Sequence, residues 1–116
     1  MKVKVVDILN ANEGLKKIAS LPINIKVSYQ LMRLGNKISD ELKVFDDKRK
    51  ELLNKYGEIN EGNWKVKEEN MTDFTKDIND ILEEDVDIEF EPISLDNLGD
   101  VKISLADLNL LKAFIK

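Results

Sequence analysis

Between Pro22 and Gly57 the stretch NIKVSYQLMRLGNKISDELKVFDDKRKELLNKY (24–56) contains no proline and one glycine, Gly35. Its apolar side chains fall at Val27, Leu31, Leu34, Ile38, Leu42, Phe45, Leu52 and Tyr56, in steps of three or four except where Arg49 interrupts them. That spacing predicts one helix carrying one apolar stripe. At about 1.5 Å per residue it runs about 50 Å, far beyond the usual globular helix. Such a helix must lean on another helix, in the same chain or in a partner. Asn24 is suited to cap its start and Gly57 to end it. Asp40 and Glu41 precede Lys48, Arg49, Lys50 and Lys55, the polarity a helix dipole favours. Gly35 costs about 1 kcal/mol relative to alanine in a helix interior. Either it permits a close crossing or mild bend, or Gly35-Asn36 divides the segment into two helices with Ser39 capping the second.

The flanking segments supply short elements. KVKVVDI (2–8) predicts a strand, or a strand leading into a helix. Asn10 or Asn12 is placed to cap a short helix over 13–20, with Leu15 and Ile18 inward. After the long helix, EINEGN (58–63) reads as a turn with Glu61-Gly62-Asn63 at its tip. NWKVKE (63–68) then alternates as a short strand, and Asn70 caps a helix marked by Met71, Phe74, Ile78, Ile81 and Leu82. VDIEFE (86–91) alternates without exception, with Val86, Ile88 and Phe90 on one face and Asp87, Glu89 and Glu91 on the other. These predict a β-α-β unit. The N-terminal strand can complete the sheet, its lysines beside the acidic strand. Ser104 with Asp107 resembles a capping box for a C-terminal helix bearing Leu105, Leu108, Leu111, Phe114 and Ile115. That tail either docks on its own core or binds a partner.

Composition narrows the chemistry. The chain has neither cysteine nor histidine, which removes disulfides, thiolate metal sites, the commonest general base and imidazole-dependent triads. The five glycines, at 14, 35, 57, 62 and 99, form no phosphate-binding loop. The acids of 83–91 alternate along a strand rather than converging as metal ligands do. Trp64 either stacks on a ligand or, the reading preferred, anchors its strand on the long helix. No enzymatic activity, cofactor or metal is expected. The first residues lack a signal-peptide core, and no run suits a membrane span. Charge is split: residues 1–57 carry 12 Lys+Arg against 7 Asp+Glu (+5), and residues 58–116 carry 6 against 16 (−10). Either the halves fold onto each other and interleave these charges, or the acidic half is a docking face. The basic half lacks the clustering and aromatic residues of a nucleic-acid surface, so nucleic acid is not favoured as a partner.

The order of these features resembles a set of small, mostly uncharacterised proteins of tailed bacteriophages and prophages. The shared cues are KRKELLNKYGE (48–58), NWKVKEEN (63–70), the F-x-x-x-I-x-x-I-L helix (74–82), the VDIEF strand and ISLADLNLLKAFI (103–115). The resemblance implies a phage or prophage origin and a role in virion assembly or in interfering with the host. It transfers no functional residues.

The expected fold is a single α+β domain over 1–116, a mainly helical basic half (1–57) and an acidic half (58–116). Its long amphipathic helix, or a helical hairpin, packs on a small sheet of two or three strands with additional helices. The expected function is a non-enzymatic protein-binding component, a virion structural or assembly factor. The alternative is a phage inhibitor of a host defence or nucleic-acid enzyme, acting through its acidic face. The candidate contact residues are Asp87, Glu89, Glu91, Leu108, Leu111 and Phe114. The partner is a second copy, giving a homo-oligomer, or another virion or host protein. The expected location is the host cytoplasm or the virion.

Overall fold

In the computed structural model, which describes all 116 residues, a short strand, β1 (Lys2–Lys4), runs directly into helix α1 (Val5–Ile18). The helix expected over 13–20 therefore starts eight residues earlier, and Asn10 and Asn12 lie inside it rather than capping it. The start is held by Asp7, whose carboxylate accepts the Lys4 main-chain N–H at 3.0 Å. Val5, Ile8, Ala11, Gly14 and Ile18 are all buried, and packing of that face outweighs the weak helix preference of Val5 and Val6.

The chain then turns at Leu21–Asn24 into α2 (Ile25–Tyr56), a single unbroken helix. The Asn24 side chain accepts the Val27 N–H at 3.0 Å, which is the expected cap. Gly35 neither breaks nor ends α2: a methyl there would meet only Leu15 Cδ1, at 3.8 Å. Ordinary contact replaces the cost of a helical glycine, so Gly35→Ala is expected to stabilise the fold by about 0.5–1 kcal/mol. Urea denaturation should show a higher midpoint at unchanged slope; a lower midpoint would mean the helices pass closer here than 3.8 Å implies.

Beyond Tyr56 the chain enters a hairpin, β2 (Gly57–Asn60) and β3 (Asn63–Val66), paired antiparallel with Ile59 opposite Trp64. Residues 57–60 are thus strand rather than turn. The turn is Glu61-Gly62 alone, both with positive φ (53° and 81°), as a two-residue hairpin requires. Trp64 remains 45% exposed and does not anchor β3 in the core. The turn Glu68–Asn70 leads into α3 (Met71–Leu82). Asn70 does not cap α3; its side-chain amide donates to the Tyr56 carbonyl at 3.1 Å. Tyr56 in turn donates its hydroxyl to Asp77 at 2.7 Å and meets Phe74 edge-on, tying the end of α2 to α3.

β4 (Asp85–Asp87) pairs antiparallel with β1, placing Lys2 opposite Asp87, Val3 opposite Val86 and Lys4 opposite Asp85. The lysine–acid complementarity holds, but the β-α-β unit does not form, because β3 and β4 belong to different two-stranded sheets. A two-residue turn gives β3 a neighbour at almost no loop-closure cost, while β4 takes the basic strand that matches its acids. Regular pairing ends at Asp87, yet the alternation continues: Ile88 is buried and Phe90 half-buried, whereas Glu89 and Glu91 are exposed.

Helix α4 (Leu105–Leu110) is capped by Ser104, whose hydroxyl accepts the Asp107 N–H at 3.1 Å. A tight turn, Lys112–Phe114, follows. Ile93 donates to the Phe114 carbonyl at 2.8 Å, and Lys116 donates to the Ile93 carbonyl at 2.9 Å. At the opposite end, Ile88 N–H donates to the Met1 carbonyl at 2.9 Å. The core lies on the first half of α2: Val27, Leu31, Leu34 and Ile38 pack with Ile8, Ala11, Ile18, Val3, Ile88, Ile93, Leu98, Leu111 and Phe114. From Leu42 onward α2 buries nothing fully; Leu42, Phe45, Leu52 and Tyr56 are half-buried. The molecule measures 50 × 29 × 22 Å, and α2 spans its long axis. No helix is long and apolar enough to cross a membrane.

Candidate functional site

Three surfaces bear on function, the acidic strand first. Asp87, Glu89 and Glu91 share the exposed face, as their alternation requires, but they do not act as one cluster. Asp87 lies opposite Lys2. Glu91 reaches Lys116 at 3.6 Å. Glu89 forms no ion pair. Asp87 instead joins Glu41, Glu84 and Asp85 around a groove of about 530 Å³, with Val44, Phe45 and Ile81 also lining it. Lys48 stands at the same rim and bonds Glu51 at 3.3 Å. Beside the groove, Lys4 meets Glu83 at 2.9 Å. The hydrogen bond that Lys4 donates to the Glu83 carboxylate, reinforced by that carboxylate's charge, raises the Lys4 pKa above the usual lysine value. Both groups are largely exposed, so the pair adds little stability.

The C-terminal apolar residues divide differently. Leu111 and Phe114 are buried in the core and Leu108 is half-buried against it, so the tail docks in cis. Leu111 and Phe114 are therefore not available as contact residues. The reason is geometric: Gly14 leaves a gap in α1 that Leu110 and Leu111 fill. Leu105, one of the apolar residues of the expected C-terminal helix, is 84% exposed.

The third surface lies on α2 itself. A helix advances about 100° per residue, so Ile25, Tyr29 and Met32 project opposite Val27, Leu31 and Leu34. Ile25 is 84% exposed, Tyr29 56% and Met32 57%. Arg33 stacks its guanidinium over the Tyr29 ring at 5.7 Å, and at the helix start the Asn24 amide donates to the Asn97 carbonyl at 2.8 Å. The spacing of 25, 29 and 32 is as regular as that of the buried stripe. Once one stripe had explained the helix, nothing in periodicity alone demanded a second.

Several of the remaining ionisable groups form surface pairs. On α2, Asp46 accepts from Lys50 at 3.0 Å and Arg49 at 3.1 Å, and these hydrogen bonds hold its pKa below the usual carboxylate value. Lys55 is raised by its interaction with the Tyr56 side chain, with Asp77 and Asp73 adding charge. No three acidic side chains gather in a way that could hold a metal ion. Compared with known proteins, the chain matches no protein-family model, no curated protein and no solved structure.

Proposed function

We propose that the chain is a non-enzymatic protein-binding component, a structural or assembly factor of the kind its resemblance to phage proteins implies. Its contact is with a second copy through the outer stripe of α2. The observation that carries this reading is the exposure of Ile25, Tyr29 and Met32 on the longest element. Soluble chains expose single apolar residues freely, but a contiguous stripe marks a contact surface. A twofold contact uses the same stripe on both copies.

Magnitudes set its strength. Burying what remains exposed of each side chain is worth about 1–2 kcal/mol. Six such side chains give about 6–12 kcal/mol, similar to the about 4–15 kcal/mol lost on association. The stripe alone supports weak, reversible pairing, which strengthens where many copies are held together. The inhibitor reading ranks second, because Lys2 and Lys116 already offset Asp87 and Glu91.

Light scattering across a micromolar-to-millimolar series tests the first reading. The mass is expected to rise from 13.3 kDa toward the dimer. Tyr29→Glu should hold it at the monomer with unchanged circular dichroism, weakening association by about tenfold or more. A wild-type chain that stays monomeric throughout sinks the self-association reading.

A further inference from the structure

The second edge of β4 raises a separate question. Antiparallel strands alternate the residues whose main chain faces the partner. Val5 donates to the Glu84 carbonyl at 3.0 Å, and Ile88 donates to the Met1 carbonyl at 2.9 Å. Glu84, Val86 and Ile88 therefore turn their main-chain groups toward β1, and Asp85 and Asp87 turn theirs the other way. No strand lies there, since the sheet is β1 and β4 alone. What does lie along β4 is the groove described above: it takes in Asp85, Val86 and Asp87, with Glu41, Val44, Phe45 and Lys48 of α2 and Ile81 of α3 on its far side and Val5, just after β1, at its end. Its apolar lining comes from Val5, Val44, Phe45, Ile81 and Val86, and its acids are Glu41, Glu84, Asp85 and Asp87 against the one Lys48.

We infer that this groove accepts an extended segment of a partner protein, which adds to the free edge of β4 as a third strand. The segment alternates basic and branched apolar side chains. The chain itself shows the required chemistry on the occupied edge, where β1 sets Lys2 against Asp87, Val3 against Val86 and Lys4 against Asp85. The same pattern on the free edge would meet the same acids from the other side. Main-chain bonds supply affinity in strand addition, and alternate side chains supply specificity. Charge also selects against the wrong guest. An acidic strand meets four carboxylates against one lysine, so the edge resists indiscriminate pairing and admits a basic segment. This site is independent of the α2 stripe, which contributes none of its lining.

The test is a titration of the ¹⁵N-labelled full chain with the capped heptapeptide Lys-Val-Lys-Thr-Lys-Val-Lys, followed by amide shifts. Shifts are expected at Asp85–Glu89 and at Phe45 and Ile81, with binding weakened several-fold by added salt. Asp87→Lys should lower affinity by about tenfold, while Asp100→Lys, in the loop after Leu98, leaves it unchanged. Methylating alternate peptide nitrogens should abolish binding in the register that blocks the edge and spare it in the other. No shift at 85–89 at millimolar peptide overturns the inference. So does equal binding by Glu-Val-Glu-Thr-Glu-Val-Glu, or indifference to methylation, which would reduce the effect to charge attraction. Repeating the titration on Tyr29→Glu separates the two sites: peptide binding is expected to persist when self-association is gone.

Discussion

Phe114→Ala is expected to destabilise the fold by about 3–5 kcal/mol, the range for truncating a buried aromatic side chain. Phe114 is 1% exposed and stands edge-on to Phe90, with ring centroids 5.9 Å apart. Its carbonyl also accepts the Ile93 N–H, so the side chain and its main chain hold the same two segments together. Alanine keeps the main-chain bond and leaves a void between α1 and residues 90–93. Domains of this kind have about 5–15 kcal/mol in total, so the loss is a large share. Urea denaturation followed by circular dichroism should show the midpoint falling with little change of slope. A loss below about 1 kcal/mol would mean that the tail is not part of the core and that Leu108, Leu111 and Phe114 return as partner-contact candidates.

Gly14→Ala comes second, and its sign is the informative part. In the middle of a helix alanine normally stabilises by about 1 kcal/mol relative to glycine. At Gly14 the added methyl would sit 2.9 Å from Leu111 Cγ and 3.1 Å from Leu110 Cβ. Neither atom is the free end of a mobile side chain, and Leu111 is itself buried. Overpacking of this kind costs about 1–3 kcal/mol, which outweighs the propensity gain and leaves a net loss. Gly35→Ala, with its nearest atom at 3.8 Å, should move the other way. Measured side by side in one urea series, the two substitutions compare a tight helix crossing with an open one. Stabilisation by both would mean that α4 sits farther from α1 than described.

These contrasts show which parts of the molecule a reader of the sequence can reach. The limits of α2 are written locally: Asn24 caps it, Gly57 ends it, and four of the stripe residues are the buried ones. Ser104 with Asp107 is equally local, and the match of Lys2 and Lys4 to Asp87 and Asp85 follows from charge pattern alone. β2 was hidden because its one apolar residue, Ile59, faces solvent, so no alternation announces it. Its pairing rests on Glu61 adopting positive φ, which glutamate rarely signals. The choice between β3 and β1 as neighbour of β4 is non-local, and because β3 also carries a lysine, Lys65, charge alone does not rule β3 out. The acidic candidates were readable as a face, but the Glu91–Lys116 contact and the groove at Asp87 depend on elements far away in sequence. The outer stripe of α2 was readable by the same period that revealed the inner one.

The extended segment after α3 has a consequence for how the molecule is made. Ile88 is bonded to Met1, and Ile93 to Phe114 and Lys116. The first and final residues described here therefore close on one short stretch, and neither β1 nor the core over α1 is complete without both. A ribosome delivers α1 and α2 long before Leu111 and Phe114 exist to cover them, and contacts of such long sequence separation are slow to form. During that interval the emerging chain leaves open the part of α1 around Gly14 that Leu110 and Leu111 cover, exposing apolar surface of the kind that makes folding intermediates aggregate. The hazardous interval of synthesis lasts until residues 111–114 have been made, and a product lacking them would stay in that condition.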